Sequence, residues 1–304
     1  MNKSILKAHL ALLGANLIYG VNYIIAKGIM PDKIGPDAFV FIRLLFATPL
    51  FWILKKFVIT ERVATRDYLR LMLCGLLGAA ANQLLFFHGI NLTSPVDASI
   101  IMTVVPVIVL VFGALILHER ITRNKLIGIT IGGIGAVALI LYGKEASGTS
   151  SLLGNLFIFL NASSYSLYLV FVKPLMRKYN SVTVVSWVFL FGFLFTFPIG
   201  IGDFMNTNYE AFTLGTYLTV GFVVIFTTFF AYLFNIYSLS HVSPSVTSSY
   251  IYLQPLISFL MVLLYANVFD QKEYAQDINL VKIISGILVI FGVYMVSRKS
   301  KVKV

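Results

Sequence analysis

Polar side chains recur at helical spacing inside the long apolar stretches of this chain. Asn16, Tyr19 and Tyr23 follow at steps of three or four residues, and Asn161 and Tyr165 repeat the pattern far downstream. Amides and hydroxyls in apolar surroundings cost roughly a few kcal/mol when they lack hydrogen bonds. Such residues either join neighbouring helices or bind a small polar molecule. The candidate binding residues are Asn16, Tyr19, Tyr23, Arg43, Asn82, Gln83, His88, Ser99, Thr103, Tyr165, Tyr168, Tyr232, Asn235, Ser248, Tyr252 and Gln254.

Two candidates carry or can acquire charge. Arg43 lies near the middle of an apolar stretch, where an arginine costs about 2.5–3.5 kcal/mol without a partner. It either anchors a substrate carboxylate or phosphate, or has a structural role, capping freed carbonyls or pairing with Asp37. Histidine is the side chain best suited to proton coupling near neutral pH, so His88 is a candidate for that role, although a lone histidine also serves as an ordinary hydrogen-bonding group.

Residues for catalysis or metal binding do not cluster in the sequence. His9, His88, His118 and His241 are scattered over different stretches, and Cys74 is the single cysteine. There is no GxxxxGK[ST] loop, so we expect no ATP hydrolysis. We therefore expect neither a metal nor a cofactor, and we do not expect an enzyme.

The composition places the chain in a membrane. Hydrophobic residues make up 59% of its 304 residues and charged residues 12%, with a mean hydropathy of +0.90, whereas ordinary soluble domains are about 25% charged. A membrane-crossing helix needs roughly 20 mainly apolar residues. Ten stretches meet this requirement: 8–30, 36–55, 69–90, 97–117, 124–142, 152–173, 180–201, 212–237, 244–266 and 279–297.

The basic residues predict the orientation. Most of the 23 Lys and Arg residues fall on one side of the ten stretches, together with both termini. Because cytoplasmic loops collect Lys and Arg, we expect a multi-pass protein of the cell membrane with both termini in the cytoplasm. The net charge of +11 then reflects contacts with anionic headgroups and not nucleic-acid binding. The partners expected are the lipid bilayer and a small molecule; a monomer is compatible with the sequence.

The chain contains an internal repeat. A shift of 149 residues places Pro49 on Pro198, Pro95 on Pro244 and Pro106 on Pro255, and thus pairs six of the nine prolines. We expect two five-helix units, residues 1–145 and 150–304. Because five is odd, the second unit starts from the opposite side of the membrane, and the two units must be inverted. Inverted repeats are typical of secondary transporters, which hold substrate between the repeats.

Two pairs of residues that the repeat aligns carry specific structural expectations. Pro106 and Pro255 fall near the middle of their stretches, where proline removes a helical hydrogen bond and frees a carbonyl. We expect helix breaks there, lining a polar place or merely kinking the helix for packing. A shift of 146 places Lys27 on Lys173, and we expect both amines to extend to lipid headgroups.

The stretch from Thr93 to Ile140 resembles the signature half of the EamA family in the drug/metabolite transporter superfamily. The resemblance is carried by Pro106, by the turn HERIT with Glu119, and by Gly128 and Gly135 in the following helix. A looser copy contains Pro255, and the likeness covers nearly the whole chain. The resemblance implies a central cavity between two repeats and the transport of amino acids, their derivatives or other small metabolites.

The function expected is therefore a secondary transporter or facilitator for small polar metabolites, above all amino acids or derivatives, which works by alternating access. An integral membrane enzyme acting on lipid-linked substrates is the alternative, but it would require a His or carboxylate cluster at one membrane interface. A membrane scaffold without transport activity is the third hypothesis. Tyrosines on the cavity faces are suited to stacking on an apolar part of a substrate.

Overall fold

The structure, a computed structural model, describes residues 3–27, 29–30, 33–93, 98, 101–142, 151–254, 256–257, 260 and 280–297. All secondary structure in these ranges is helical, which confirms the predicted all-α class. The α-helices are α1 (Lys3–Lys27), α2 (Pro36–Val58), α3 (Tyr68–Gly75), α4 (Ala81–Leu92), α5 (Val105–Leu117), α6 (Arg123–Tyr142), α7 (Leu152–Met176), α8 (Ser181–Asn206), α9 (Leu214–Phe222), α10 (Ala231–His241), α11 (Pro244–Ser249) and α12 (Leu280–Ser297).

Among the described residues, six helical segments are long and apolar enough to cross a membrane. They are Lys3–Asn22, Pro36–Val58, Thr65–Leu92, Leu152–Met176, Ser181–Asn206 and Leu214–His241. Two shorter apolar helices, Val105–Leu117 and Ile283–Val296, accompany them. The chain is thus a multi-pass membrane protein, while the full count of ten spans stays a prediction.

Side-chain caps and prolines explain where several helices begin. The side chain of Ser151 accepts a hydrogen bond from Gly154 N, and that of Asn180 accepts one from Val182 N. Ser243 caps α11 in the same way and is followed by Pro244 in the first turn. The first amides of a helix lack intrahelical partners, and a proline at this place has no amide to leave unpaired. These helix starts are therefore encoded locally.

Two of the long segments are interrupted by π-helix. Leu76–Ala80 joins α3 to α4, and Val223–Phe230 joins α9 to α10. The 149-residue shift carries Leu76 to Ile225 and Ala80 to Phe229, so the first π-helical segment falls inside the second. A π-helical turn displaces backbone carbonyls from the α-helical ladder and is often found at functional sites. Both halves of the chain therefore carry the same irregularity at the same place.

The helices pair in a pattern that relates the two halves. α6 packs along α12 and α2 along α8, while α4 packs on α7 and α1 on α10. Each helix of the first half corresponds to the helix numbered six higher in the second half. Exchanging corresponding helices leaves the pairs α6–α12 and α2–α8 unchanged. The same exchange converts the pair α4–α7 into the pair α1–α10. The two halves therefore make equivalent contacts with each other.

The α6–α12 pair is held close by glycines. A Cβ added to Gly292 would lie 2.5 Å from the Cα of Gly132, and one added to Gly128 would lie 2.7 Å from the carbonyl oxygen of Gly292. Gly135 likewise faces the backbone of Ser285. Small residues allow membrane helices to approach closely, so dispersion contacts between backbones replace a hydrophobic driving force.

The structure corrects the place of one helix break. We expected the helix to break at Pro106, but the interruption comes just before it: a turn at residues 103–104 ends the preceding segment, and α5 begins at Val105. Pro106 therefore occupies the first helical turn, where its missing N–H costs little. In the second half, a 3₁₀ turn at Tyr250–Tyr252 follows α11. Pro255 itself lies outside the described residues.

Lys173 also differs from its prediction. Its amine does not extend to the headgroup region but is buried, with 8% of the residue exposed. It donates hydrogen bonds to the carbonyl oxygens of Leu239 and Val242, the latter at 2.6 Å. The last carbonyl oxygens of a helix lack intrahelical partners, and a lysine side chain nearby can donate hydrogen bonds to them. Lys173 therefore ties α7 to the end of α10; the side chain of its mate Lys27 lies outside the described residues.

Candidate functional site

A polar cavity lies between α1, α2, α4, α7, α10 and the segment that follows α10. Its volume is about 90 Å³, and one water molecule needs about 10–15 Å³ of such volume, so a small metabolite is the appropriate scale. The residues that line the cavity are Asn16, Tyr19, Asn22, Arg43, Asn82, Gln83, Phe86, Phe87, Met102, Asn161, Tyr165, Thr227, Tyr232, Asn235, Thr247, Ile251 and Gln254.

Many of the candidate residues meet in this cavity. Those that the structure brings together are Asn16, Tyr19, Arg43, Asn82, Gln83, Tyr165, Tyr232, Asn235 and Gln254. They come from both halves of the chain, which are far apart in sequence. Their convergence is geometric, and their role in binding a substrate stays a proposal.

Side chains of α1 form hydrogen bonds with the second half across one wall of the cavity. Gln254 Nε2 donates to Asn16 Oδ1 at 2.8 Å, and Asn235 Nδ2 donates to the Tyr19 hydroxyl at 3.2 Å. Asn16 in turn donates to the carbonyl oxygen of Leu12 within its own helix. This wall is therefore held by polar contacts that a rearrangement of the helices can exchange.

The opposite wall uses the irregular backbone of the first π-helical segment. The Tyr232 hydroxyl donates to the carbonyl oxygen of Gly78 at 3.0 Å, and Ser164 donates to that of Leu77 at 2.7 Å. Just beyond the segment, Asn161 Nδ2 donates to the carbonyl oxygen of Asn82 at 2.6 Å. Residues on α7 and α10 thus bond to backbone carbonyls in or next to the π-helix.

Arg43 supplies the positive charge at the cavity. The residue is 3% exposed, and its Nε donates to the Thr228 hydroxyl at 2.9 Å. Its guanidinium carbon lies 4.7 Å from the ring centroid of Phe87 and 5.9 Å from that of Phe39. These contacts are cation–π interactions, which become stronger when the cation is desolvated.

Arg43 has no acidic partner among the described residues. The predicted alternative of a pair with Asp37 was wrong, because Asp37 Oδ1 instead contacts His88 Nε2 at 2.7 Å. Buried charges normally require a counter-charge or several hydrogen bonds. The guanidinium is therefore available to an anionic group entering the cavity.

The cavity also contains buried oxygens without partners. Asn22 Oδ1, Asn161 Oδ1 and the Thr227 hydroxyl form no hydrogen bond within the described parts of the chain. Buried polar atoms are paired in the great majority of cases, so an exception calls for an explanation. Amide oxygens accept hydrogen bonds, and these two would suit donors on a ligand or on bound water.

Three predicted residues lie away from the cavity. The Tyr168 ring packs against Gly78, and Tyr252 packs against Gly132 and Gly133, where it fills the space left by missing side chains. Ser248 is buried, and its hydroxyl donates to the carbonyl oxygen of Ser245. The two tyrosine rings therefore pack against other helices, and Ser248 forms a hydrogen bond within its own helix.

Other predicted residues do not line the cavity or lie beyond the described ranges. His88 pairs with Asp37 and its side chain is 40% exposed, and Thr103 lies in the turn before α5. Neither residue lines the cavity. Ser99 and the side chain of Tyr23 fall outside the described residues.

Several residues that line the cavity were not among the predicted binding residues. Asn22 follows Tyr19 by three residues, so helical spacing alone would have found it. Asn161 was part of the polar pattern but not of the candidate list. Thr227 belongs to the second π-helical segment, whose displaced geometry no residue spacing announces. Apolar lining residues such as Phe87 carry no sequence signal beyond hydrophobicity.

Comparisons with known proteins bear on what such a cavity does. The model described as the EamA-like transporter family matches residues 6–141 and again residues 152–298. A protein of Archaeoglobus fulgidus, named an uncharacterized transporter, is 26% identical over 266 residues, which cover 88% of this chain and 90% of that protein.

A second relative carries a more specific name. A probable terminal-alkyne amino-acid exporter of Streptantibioticus cattleyicolor is 27% identical over 139 residues, which cover 46% of each chain. A solved crystal structure superimposes with a TM-score of 0.74 at 16% identity and covers 95% of both chains. That likeness concerns the fold.

Proposed function

Since the chain belongs to the EamA-like transporter family, we propose that it is a secondary transporter or facilitator that exports or exchanges small polar metabolites through its central cavity. The family and the names of the relatives indicate transport and not catalysis.

The proposed architecture is ten membrane spans in two inverted repeats, residues 1–145 and 150–304, in the cell membrane with both termini in the cytoplasm. Two observations support the relation between the repeats. The π-helical segments coincide under the 149-residue shift, and exchanging the halves preserves the pattern of helix pairs. An odd number of spans in each repeat makes the two copies inverted.

The observation that carries the substrate proposal is Arg43. It is a buried cation at the cavity without an acidic partner among the residues described. A guanidinium binds a carboxylate or a phosphate through two parallel hydrogen bonds. Amide oxygens without partners nearby, Asn22 Oδ1 and Asn161 Oδ1, suit the donors of an ammonium or amide group. Amino acids and their derivatives combine these groups, and one relative is named a probable amino-acid exporter.

The proposed mechanism is alternating access. Contacts between the halves at the cavity are side-chain hydrogen bonds, such as that between Asn235 and Tyr19. Such bonds contribute about 0.6–2 kcal/mol each in membrane proteins, so rocking one repeat against the other can break and re-form them. A substrate that bridges groups of both halves would then favour the closed arrangement.

The test is flux into proteoliposomes for labelled amino acids and, in parallel, for their primary amides, which lack the carboxylate. We expect wild-type protein to prefer the acids and Arg43→Gln to lose their flux by at least about thirtyfold, because removing one partner of a buried charged pair costs about 2–5 kcal/mol. Arg177→Gln, an exposed arginine away from the cavity, should keep wild-type flux.

The outcomes separate the parts of the proposal. Equal flux in wild-type and Arg43→Gln protein would exclude Arg43 as the anchor. Loss of flux for acids and amides alike would assign Arg43 a structural role. No flux for any compound in folded wild-type protein would refute amino acids as substrates.

A further inference from the structure

A second site lies at the end of α2, away from the central cavity. A groove of about 590 Å³ is formed by the last turns of α2 and the residues that follow it. Pro49 and Ile53 line its apolar part, and Lys55, Lys56 and Arg62 line its other end. The groove thus combines an apolar floor with a cationic mouth.

The aromatic residues beside this groove are of the kind that is enriched at the membrane interface. The ring centroids of Trp52 and Trp187 lie 5.0 Å apart in an edge-to-face arrangement, and those of Tyr68 and Trp187 lie 4.9 Å apart. Trp and Tyr concentrate where the headgroups meet the hydrocarbon core. Trp52 is six residues from the end of α2 at Val58, a rise of about 9 Å. The basic residues beyond it therefore lie at the level of the headgroups.

Lys55, Lys56 and Arg62 form no ion pair with any residue that the structure describes. Glu61 also lines it, but its carboxylate accepts a hydrogen bond from the backbone N–H of Asn180 at 3.1 Å. Lys55 Nζ lies 4.9 Å from the centroid of the Trp52 ring, which holds the amine at the edge of the groove. Three cations against one engaged carboxylate leave a net positive mouth.

The apolar part of the groove belongs to an exposed apolar face of α2. Ile53 and Phe57 are 53% and 82% exposed. Phe46, about two helical turns before Ile53, is 56% exposed. Together with Pro49 they follow helical spacing along one side of α2. Large exposed apolar side chains on a membrane span are suited to contact with acyl chains, and this face continues directly into the basic mouth.

We infer that this groove is a binding site for an anionic phospholipid, with its phosphate at Lys55, Lys56 and Arg62 and its acyl chain along Pro49 and Ile53. Basic pockets at the headgroup level bind acidic lipid headgroups. A soluble phosphate would make no use of the apolar floor. The inference is independent of the transported substrate.

The chain offers a built-in reporter for this site. Its two tryptophans both lie beside the groove, so the whole tryptophan signal comes from this region. Acyl-brominated lipids quench tryptophan at short range. In phosphatidylcholine vesicles containing equal fractions of brominated lipid, we expect brominated phosphatidylglycerol to quench more than brominated phosphatidylcholine. The single-tryptophan variant Trp187→Phe should retain this preference through Trp52.

Two variants that each remove three positive charges distinguish a defined lipid site from general attraction of a basic surface to anionic lipid. Each Lys or Arg near an anionic surface changes the relative affinity by about fivefold. The triple variant Lys55→Gln, Lys56→Gln and Arg62→Gln should therefore lose the preference for phosphatidylglycerol. The triple variant Arg66→Gln, Arg70→Gln and Arg177→Gln removes the same charge from exposed residues outside the groove and should keep it. If the groove triple variant fails to fold, Lys56→Gln and Arg62→Gln carry the test singly.

Three results would overturn the inference. Equal quenching by the two brominated lipids in wild-type protein would show no anionic preference. An equal loss in the two triple variants would indicate diffuse charge and no defined site. Abolition of the preference by millimolar inorganic phosphate, at an ionic strength where chloride leaves it intact, would show that the groove selects phosphate and not a lipid.

Discussion

Two of the contacts that join the halves of this protein are built in opposite ways. α6 and α12 meet through glycines, with backbone against backbone. α1 and α10 meet beside the cavity through amides and tyrosines, such as Asn235 and Tyr19. Close backbone packing has a single well-fitting arrangement, whereas side-chain hydrogen bonds can change partners. The difference suggests a fixed contact at one place and an exchangeable one at the other.

The largest effect should come from Gly292→Val. A Cβ at Gly292 would meet the Cα and N of Gly132 at 2.5 and 2.6 Å, and neither helix backbone can yield without separation of the pair. Overpacking costs about 1–3 kcal/mol and occasionally more, and we expect the upper end here because backbone atoms meet the added side chain. We expect little folded protein, measured by size-exclusion chromatography and thermal unfolding in detergent.

A matched glycine gives the control for that variant. Gly202 lies in α8 with nothing within 4 Å of an added Cβ. Gly202→Ala should therefore unfold at the wild-type temperature or slightly above it, because alanine favours helix. Wild-type stability of Gly292→Val would show that α6 and α12 can separate freely, contrary to a fixed contact.

A medium effect is expected for Gln254→Leu at the polar contact. The change removes the donor to Asn16 Oδ1 and leaves that buried oxygen without this bond. Loss of one partner of a buried hydrogen bond costs about 1–3 kcal/mol. We expect a lower unfolding temperature but folded protein with altered flux. An unchanged unfolding temperature would mean that Asn16 finds another donor at once.

The smallest effect should appear in a double-mutant cycle of Tyr19→Phe and Asn235→Ala. These side chains share one hydrogen bond of 3.2 Å across the cavity wall. Coupling energies in membrane proteins average about 0.6 kcal/mol, and we expect a value of that order from unfolding in mixed micelles. A coupling well above about 2 kcal/mol would show that this wall is as rigid as the glycine contact.

Several features of the site followed from residue spacing. Asn16 and Tyr19, and likewise Tyr232 and Asn235, lie at helical spacing within apolar stretches and do line one cavity. The helical class and the membrane location followed from composition and hydrophobic length. These inferences hold because the cost of burying a polar group in lipid applies to each helix separately.

Other features had no signal in the local pattern. The π-helical segments and the buried capping role of Lys173 involve contacts with neighbouring helices. The same is true of Arg43, whose bond goes to Thr228 in the second π-helical segment and not to the nearby Asp37. Residues 185 positions apart become partners only when α2 and the segment before α10 pack together.

The amino-acid sequence thus determines that this is a helical membrane protein with a repeated pattern and polar faces, because hydrophobic length, charge and periodicity are properties of single segments. Folding then selects which polar faces meet. Tyr168 and Tyr252 have the same residue type as Tyr165 and Tyr232, yet they fill space beside glycines while the others line the cavity. The rotation of each helix depends on long-range packing, and spacing along one helix carries no information about it.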